Sequence, residues 1–168
     1  ARLENKYLSG VTGSFNFRDD VILPMESEIH ELLAGRGLYL TTDISLESLP
    51  GEAALIRMLV RNLLENCSRY ADPHSQIWLT LKPVTVQVEG SEADFAELTV
   101  RDVGPGVDMA RLEQLTSVFT RLDSRGSGVG LGLNIVSRVC ELHRAKLEFT
   151  NCESPRGLQV TVRFPLAD

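Results

Sequence analysis

The sequence predicts a two-layer α/β sandwich, with a mixed, mostly antiparallel sheet of about five strands under about three main helices. One long segment, 52–70, repeats apolar residues at helical spacing, whereas several other stretches alternate apolar and polar residues. The helical and extended stretches do not follow each other in strict alternation, which argues against a purely parallel sheet. With 168 residues, 43% apolar and 24% charged, the chain has the size and composition of one globular domain.

Element by element, SFNFRD (14–19) alternates and reads as a short strand, followed by a helix over 21–33 that Gly35 ends. GLYLTTDI (37–44) is a second strand. In the long helix, Leu55, Ile56, Leu59, Leu63 and Cys67 fall on one side. QIWLTLKPVTVQV (76–88) and AELTVRDV (96–103) read as strands joined by the polar hairpin EGSEAD (89–94), and Pro83 marks an edge or a bulge. A short helix is expected near 108–115, and the polar segment 116–127 reads as a mobile loop. A helix from about 130 to 142 and two strands, KLEFTN (146–151) and GLQVTVRF (157–164), close the chain.

The net charge of −6 repels a phosphate backbone, so no nucleic-acid partner is expected. Cys67, Cys140 and Cys152 are odd in number and widely spaced, which fits reduced thiols in a cytoplasmic setting. No apolar run reaches the ~20 residues needed to span a bilayer, and no signal peptide is visible. The opening ARLENKYLSG, without Met, reads as the middle of something larger.

Three stretches hold residues that a plain domain of this class does not need. The long helix ends in RNLLENCSRYA, with Asn62 and Asn66 four apart and Arg69 three further on, so all three project from one side. Asparagine is a mediocre helix former because its amide competes for backbone hydrogen bonds. Two stacked amides suit either a solvated polar face or a divalent cation held by neutral oxygens. The second fits Mg²⁺, a hard ion that keeps waters and shares substrate oxygens. Arg69 would then add a phosphate contact, and Tyr70 a flat wall for a base.

The strand ELTVRD runs into DVGPGVD. Asp before Gly-x-Gly is a common turn, yet Asp102 would also accept a hydrogen bond from an exocyclic amine, separating adenine from guanine. Gly104 and Gly106 would let a planar ring lie against the backbone. Last, GSGVGLGLNIV sets Gly128, Gly130 and Gly132 at a helix start. Its spacing is neither the dinucleotide fingerprint nor the P-loop. Free N–H groups there, aided by the helix dipole, suit an anion; a plain flexible loop is the alternative.

In this order along one chain, NLLENCSRY, DVGPGV and GVGLGLNIV resemble the N box and the two glycine boxes of the catalytic ATP-binding domain of bacterial sensor histidine kinases. The wider group includes gyrase B, mismatch-repair and heat-shock-chaperone ATPases. The resemblance covers 15–166 and implies ATP and Mg²⁺ as cofactors, in a pocket under a flexible ATP lid. By motif, Asn66 would ligate Mg²⁺, with Asn62 supporting or sharing it. Arg69 would meet the phosphates, Tyr70 would flank the adenine and Asp102 would bind its amino group. Gly104 and Gly106 would shape the base pocket, and Gly128, Val129, Gly130, Leu131 and Gly132 would form a hinge and phosphate-facing turn. Arg121 would reach the γ-phosphate and complete a catalytic set with Asn62, Asn66 and Arg69; Arg125 is a further candidate.

Hydrolytic relatives carry a water-activating Glu one helical turn before the metal Asn. Here that position is Asn62, which cannot take a proton at neutral pH. Glu65 points roughly 100° away from Asn66 around the helix. The resemblance therefore implies phosphoryl transfer to a histidine on a separate dimerisation domain, for relay to a response-regulator aspartate. Residues 1–13 would lead in from that missing domain, with 14–168 forming the catalytic domain. The parent would be a membrane-bound homodimer, with this part at the cytoplasmic face of the bacterial inner membrane. His30, in IHELLAGRG, is not read as the acceptor: Leu33 replaces the acceptor motif's Arg, and no Pro follows. The lid departs from the pattern, with Thr116 in place of the first of two phenylalanines and Phe119 kept; Val103 replaces the usual Asn after Asp102. Two other readings are an ATP-hydrolysing conformational module of the same fold and a degenerate nucleotide- or partner-binding domain.

Overall fold

The structure, a computed structural model, describes residue 11, residues 13–108, residues 110, 111 and 114, and residues 133–166. It opens with β1 (Ser14–Asn16), a π-helical turn (Arg18–Ile22) and a 3-10 turn (Leu23–Met25) that run into α1 (Glu26–Ala34). Next come β2 (Tyr39–Ile44), β3 (Ser48–Pro50) and the long α2 (Ala53–Tyr70). Then follow β4 (Gln76–Val88), β5 (Ser91–Arg101), α3 (Leu133–Leu142), β6 (Lys146–Glu153) and β7 (Arg156–Pro165).

Five strands form one sheet in the order β2-β4-β5-β7-β6; β2 runs parallel to β4 and the other pairs are antiparallel. The expected mixed α/β sandwich is therefore the architecture found. Two apolar rows, buried or partly buried, cross four strands of the sheet. One is Leu81, Leu98, Val162 and Leu147; the other is Leu79, Val100, Val160 and Phe149. Against them α2 buries Ile56, Leu59, Val60, Leu63, Leu64 and Cys67, and α3 buries Val136, Val139 and Cys140. The other sheet face is polar, with Thr80 hydrogen-bonded to Thr99 across β4 and β5.

Local chemistry moves several boundaries. The first strand stops at Asn16, and helical turns begin at Arg18 instead of near 21. The Asn16 side-chain oxygen accepts from the Asp19 N–H (2.8 Å), while the Asp20 carboxylate accepts from the Asn16 N–H (2.8 Å). This reciprocal pair works like a capping box and starts the turn early. Pattern gives no strand at 48–50, because three residues show no period; β3 exists by pairing with β1, which sets Leu49 opposite Phe15. The β4–β5 turn is Glu89-Gly90, both at positive φ (49° and 80°), so β5 begins at Ser91 instead of near 96. Pro83 sits beyond Leu81, where β2 ends, so β4 has no neighbour on that side and the edge reading holds locally. Near 108–115, Ala110, Arg111 and Gln114 are helical, and the Asp108 carboxylate accepts from the Arg111 N–H (2.7 Å). The segment 116–127 and the start of the helix before Leu133 lie outside the described residues.

The two main helices are joined at one corner. His143, just past α3, is buried and meets Phe164 edge-on at 5.9 Å between ring centroids. Its Nδ1 bonds the Val139 carbonyl (2.8 Å), so the tautomer carries that proton, and Nε2 accepts from the Glu52 N–H (3.2 Å) ahead of α2. Gly51 has no room for a side chain here: an added Cβ would lie 2.5 Å from His143 Cδ2. Burial lowers the His143 pKa, which keeps the imidazole neutral and Nε2 an acceptor.

Leu98, fully buried in the central strand, is the position where loss of packing shows most directly. Leu98→Ala is expected to lower unfolding free energy by about 2–5 kcal/mol. Thr85→Ala, on the exposed hairpin extension, should stay within about 0.5 kcal/mol; urea midpoints at constant slope measure both.

Candidate functional site

Strand parity decides where Asp102 goes. Leu98 and Val100 face the helices, so the alternation carries Asp102, one residue past β5, to the same side. The carboxyl group is buried (7% exposed). Its Oδ1 accepts from the Leu158 N–H (3.0 Å), and the Asp102 N–H donates to the Leu158 carbonyl (3.1 Å). The approach requires glycine next door: a Cβ on Gly157 would sit 2.0 Å from the Asp102 carbonyl oxygen. Burial pushes the Asp102 pKa above the ordinary carboxylate value; the Leu158 N–H works against this and the Asp72 charge adds to it.

In front of Asp102 lies a cavity of about 250 Å³. Val100, Val160 and Phe149, three members of one apolar row, form its floor with Leu158. Leu63, Asn66, Cys67 and Tyr70 of α2 make one wall, and Pro105, Gly106, Val107 and Arg111 the other. The Asn66 amide oxygen is buried without a hydrogen-bond partner among the described residues. Such an atom is uncommon, since buried polar groups are nearly always satisfied. Tyr70 is half-exposed at the rim. Burial raises the Cys67 thiol pKa and keeps it protonated, so here it acts as a small apolar side chain.

Of the residues singled out by sequence, the structure brings Asn66, Tyr70, Asp102 and Gly106 around this one cavity. Asn62 does not line it: buried within α2, its Nδ2 donates to the Met58 carbonyl (2.7 Å). Arg69 is exposed and also away from the lining; its carbonyl and that of Ser68 accept from Arg36 Nη1. Gly104 serves packing, because a Cβ there would come within 3.2–3.4 Å of the backbone of Tyr70, Ala71 and Asp72. Arg121, Arg125, Phe119 and Gly128, Val129, Gly130, Leu131 and Gly132 lie outside the described residues. Sequence reasoning missed the apolar floor and Asn151, whose side chain bonds Val107. The floor has a signal, the parity Val100–Asp102; Asn151 has none.

Residues 51–168 match the family model described as histidine kinase-, DNA gyrase B- and HSP90-like ATPase. The chain belongs to that family. Among curated proteins it is 36% identical over 98% of its length to the sensor protein BasS of Escherichia coli K12. It is 37% identical over 66% of its length to the sensor protein kinase PmrB of Pseudomonas aeruginosa. The alignments span 43% and 22% of those two proteins, so the chain corresponds to less than half of these relatives. The fold is also that of a mycobacterial sensor histidine kinase, MprB, with a TM-score of 0.69 at 20% identity over 92% of this chain and 97% of that one. Within the ATPase family the chain is a catalytic ATP-binding domain of the sensor-kinase type. No described helix is long and apolar enough to cross a membrane.

Because the Asp102 pKa is raised on folding, the native chain holds this proton more tightly than the unfolded one. The group's favourable contribution is complete below the unfolded carboxylate pKa and is lost as pH rises through the folded value. Urea titrations of wild type and Asp102→Asn, taken from roughly pH 4 to 7, should therefore show the wild type gaining on the variant as pH falls.

Proposed function

We propose that this chain binds Mg²⁺-ATP in the cavity between α2 and the ends of β5, β6 and β7, and transfers the γ-phosphoryl to a histidine. One observation carries the reading: Asn66 and Asp102, from a helix and a strand end far apart in sequence, converge on one apolar cavity, with the Asn66 oxygen unsatisfied among the described residues. The donor set fits the ligand. A carboxylate held by the Leu158 N–H accepts from the exocyclic amine of adenine but meets a carbonyl in guanine. Val100, Val160, Phe149 and Cys67 give the base a dry surface, and Tyr70 covers its open side. Asn66 would hold Mg²⁺ through its amide oxygen, with Asn62 in support one turn earlier and the other ligands drawn from water and phosphate. When bound, Mg²⁺ neutralises charge on the polyphosphate and orients it for transfer.

Arg69, Arg121 and the Gly128–Gly132 stretch are assigned to the phosphates. No side chain at the Asn62 position can activate water, which favours transfer over hydrolysis: Asn62 is an amide already bonded to its own helix. The nucleophile would be a histidine on a dimerisation domain ahead of residues 1–13, and the phosphoryl group would pass on to a response-regulator aspartate. The parent protein is read as a membrane-bound homodimer with this domain on the cytoplasmic side.

Asn66→Ala should weaken Mg²⁺-dependent ATP binding on the order of 100-fold while leaving the thermal unfolding curve in place; titration calorimetry with and without Mg²⁺ measures this. An unchanged Mg²⁺ dependence removes Asn66 from the metal site. Asp102→Asn should lower the preference for ATP over GTP by about 10-fold or more, since the amide can turn a donor toward the base. Steady phosphate release by the isolated wild-type chain would favour the hydrolytic module instead.

A further inference from the structure

The wall opposite α2 is a short loop, residues 103–108, with no strand or helix of its own to hold it. It follows Asp102 directly, and Pro105, Gly106 and Val107 face the cavity. Its start is held by backbone, Asp72 N–H to the Val103 carbonyl and Gly104 N–H to the Arg156 carbonyl, but at Val107 the hold comes from one side chain. Asn151, on β6, accepts from the Val107 N–H through Oδ1 (3.0 Å) and donates to the Val107 carbonyl through Nδ2. The amide thus occupies both backbone groups of one residue, as a neighbouring strand would. The fit is close: Gly106 has a φ of 69°, and a Cβ there would lie 2.7 Å from Asn151 Oδ1.

We propose that Asn151 is a positioning residue that sets base selectivity by clamping the Val107 backbone, and so fixing the wall that faces Asn66 and Tyr70. This rests on the adenine-nucleotide reading above. Asp102 can discriminate only if the base arrives in one plane and at one depth, and that plane is confined between α2 and the loop. With the clamp released, the loop keeps its bonds at Val103 and Gly104, but the stretch through Gly106 and Val107 loses its fixed distance from α2. A base then tilts away from the carboxylate, and purines with different edges become more nearly equal. Asn151 is not among the residues lining the cavity, so it acts on the base through the loop it holds at Val107 and abuts at Gly106.

The test is calorimetric titration of the whole 168-residue chain with Mg²⁺-ATP and Mg²⁺-GTP, for wild type, Asn151→Ala and Asn151→Asp, each checked by thermal unfolding. In Asn151→Ala the ATP-over-GTP affinity ratio should fall by about ten-fold, mostly through weaker ATP binding, with the Mg²⁺ dependence unchanged. Asn151→Asp keeps the bond from the Val107 N–H and loses the one to its carbonyl, so it should lie between wild type and Asn151→Ala. It also supplies the answer if Asn151→Ala does not fold. Gly106→Ala should weaken ATP binding more in the Asn151 background than in the Asn151→Ala background, because only the former contains the 2.7 Å obstruction. Equal loss of ATP and GTP binding in step with lower stability would make Asn151 merely structural and overturn the proposal. An unchanged ratio in well-folded variants would overturn it too. A wild-type chain that binds neither nucleotide defeats the underlying nucleotide reading; one that binds and discriminates while the variants do the same defeats only the role of Asn151.

Discussion

The site depends on the side-chain parity of one central strand and on the hydrogen bond that extends it. Leu98 and Val100 belong to the core, and the next residue on their side is a carboxylic acid at the lip of the sheet. A carboxyl group is costly to bury alone. Here the backbone N–H of Leu158 meets it, and the adjacent position on β7 is glycine, so the strands come close enough for that bond. A one-residue slip between β5 and β7 would turn Asp102 to the polar face and remove the group that gives the cavity its chemistry.

The rest of the cup is tied to that point by backbone. Asp72, just beyond α2, donates its N–H to the Val103 carbonyl (2.8 Å), and Gly104 donates to the Arg156 carbonyl (2.9 Å). The end of α2, the start of the loop and the β6–β7 hairpin therefore share bonds within a few residues of Asp102. Tyr70 and Asn66 inherit their distance from the carboxylate through this junction. At the far end of α2, the neutral imidazole of His143 accepts from Glu52 and holds the helix against α3. The helix bearing Asn66 is thus fixed at both ends by hydrogen bonds as well as by its apolar face.

Much of this is legible in the sequence because it follows from periodicity. The spacing of Leu55, Ile56, Leu59, Leu63 and Cys67 gives α2, and the alternation in 76–88 and 96–103 gives most of the central strands. The motif residues Asn66 and Asp102 stand out because an amide in a good helix and an acid ending an apolar strand both conflict with local preference. What escaped detection depends on contacts between distant segments. β3 is extended only because β1 lies beside it. Asn62 looks like a partner of Asn66 by spacing, yet its amide turns back to Met58, a choice that pattern does not encode. Gly104 and Gly106 look alike in DVGPGV, but one admits the end of α2 and the other admits Asn151. Asn151 itself sits in a strand of unexceptional composition and acquires its partner only when β6 meets the loop.

The long β4–β5 hairpin runs past the end of β2, so several residues of β4 present a bare backbone on one flank. Bare flanks of this kind can template the addition of strands from other molecules and so seed aggregates. Proline at position 83 has no N–H to offer an incoming strand, and Lys82 beside it brings a charge. At high concentration, then, the protein's resistance to strand-by-strand growth at this margin rests on a pair of neighbouring residues that take no part in its chemistry.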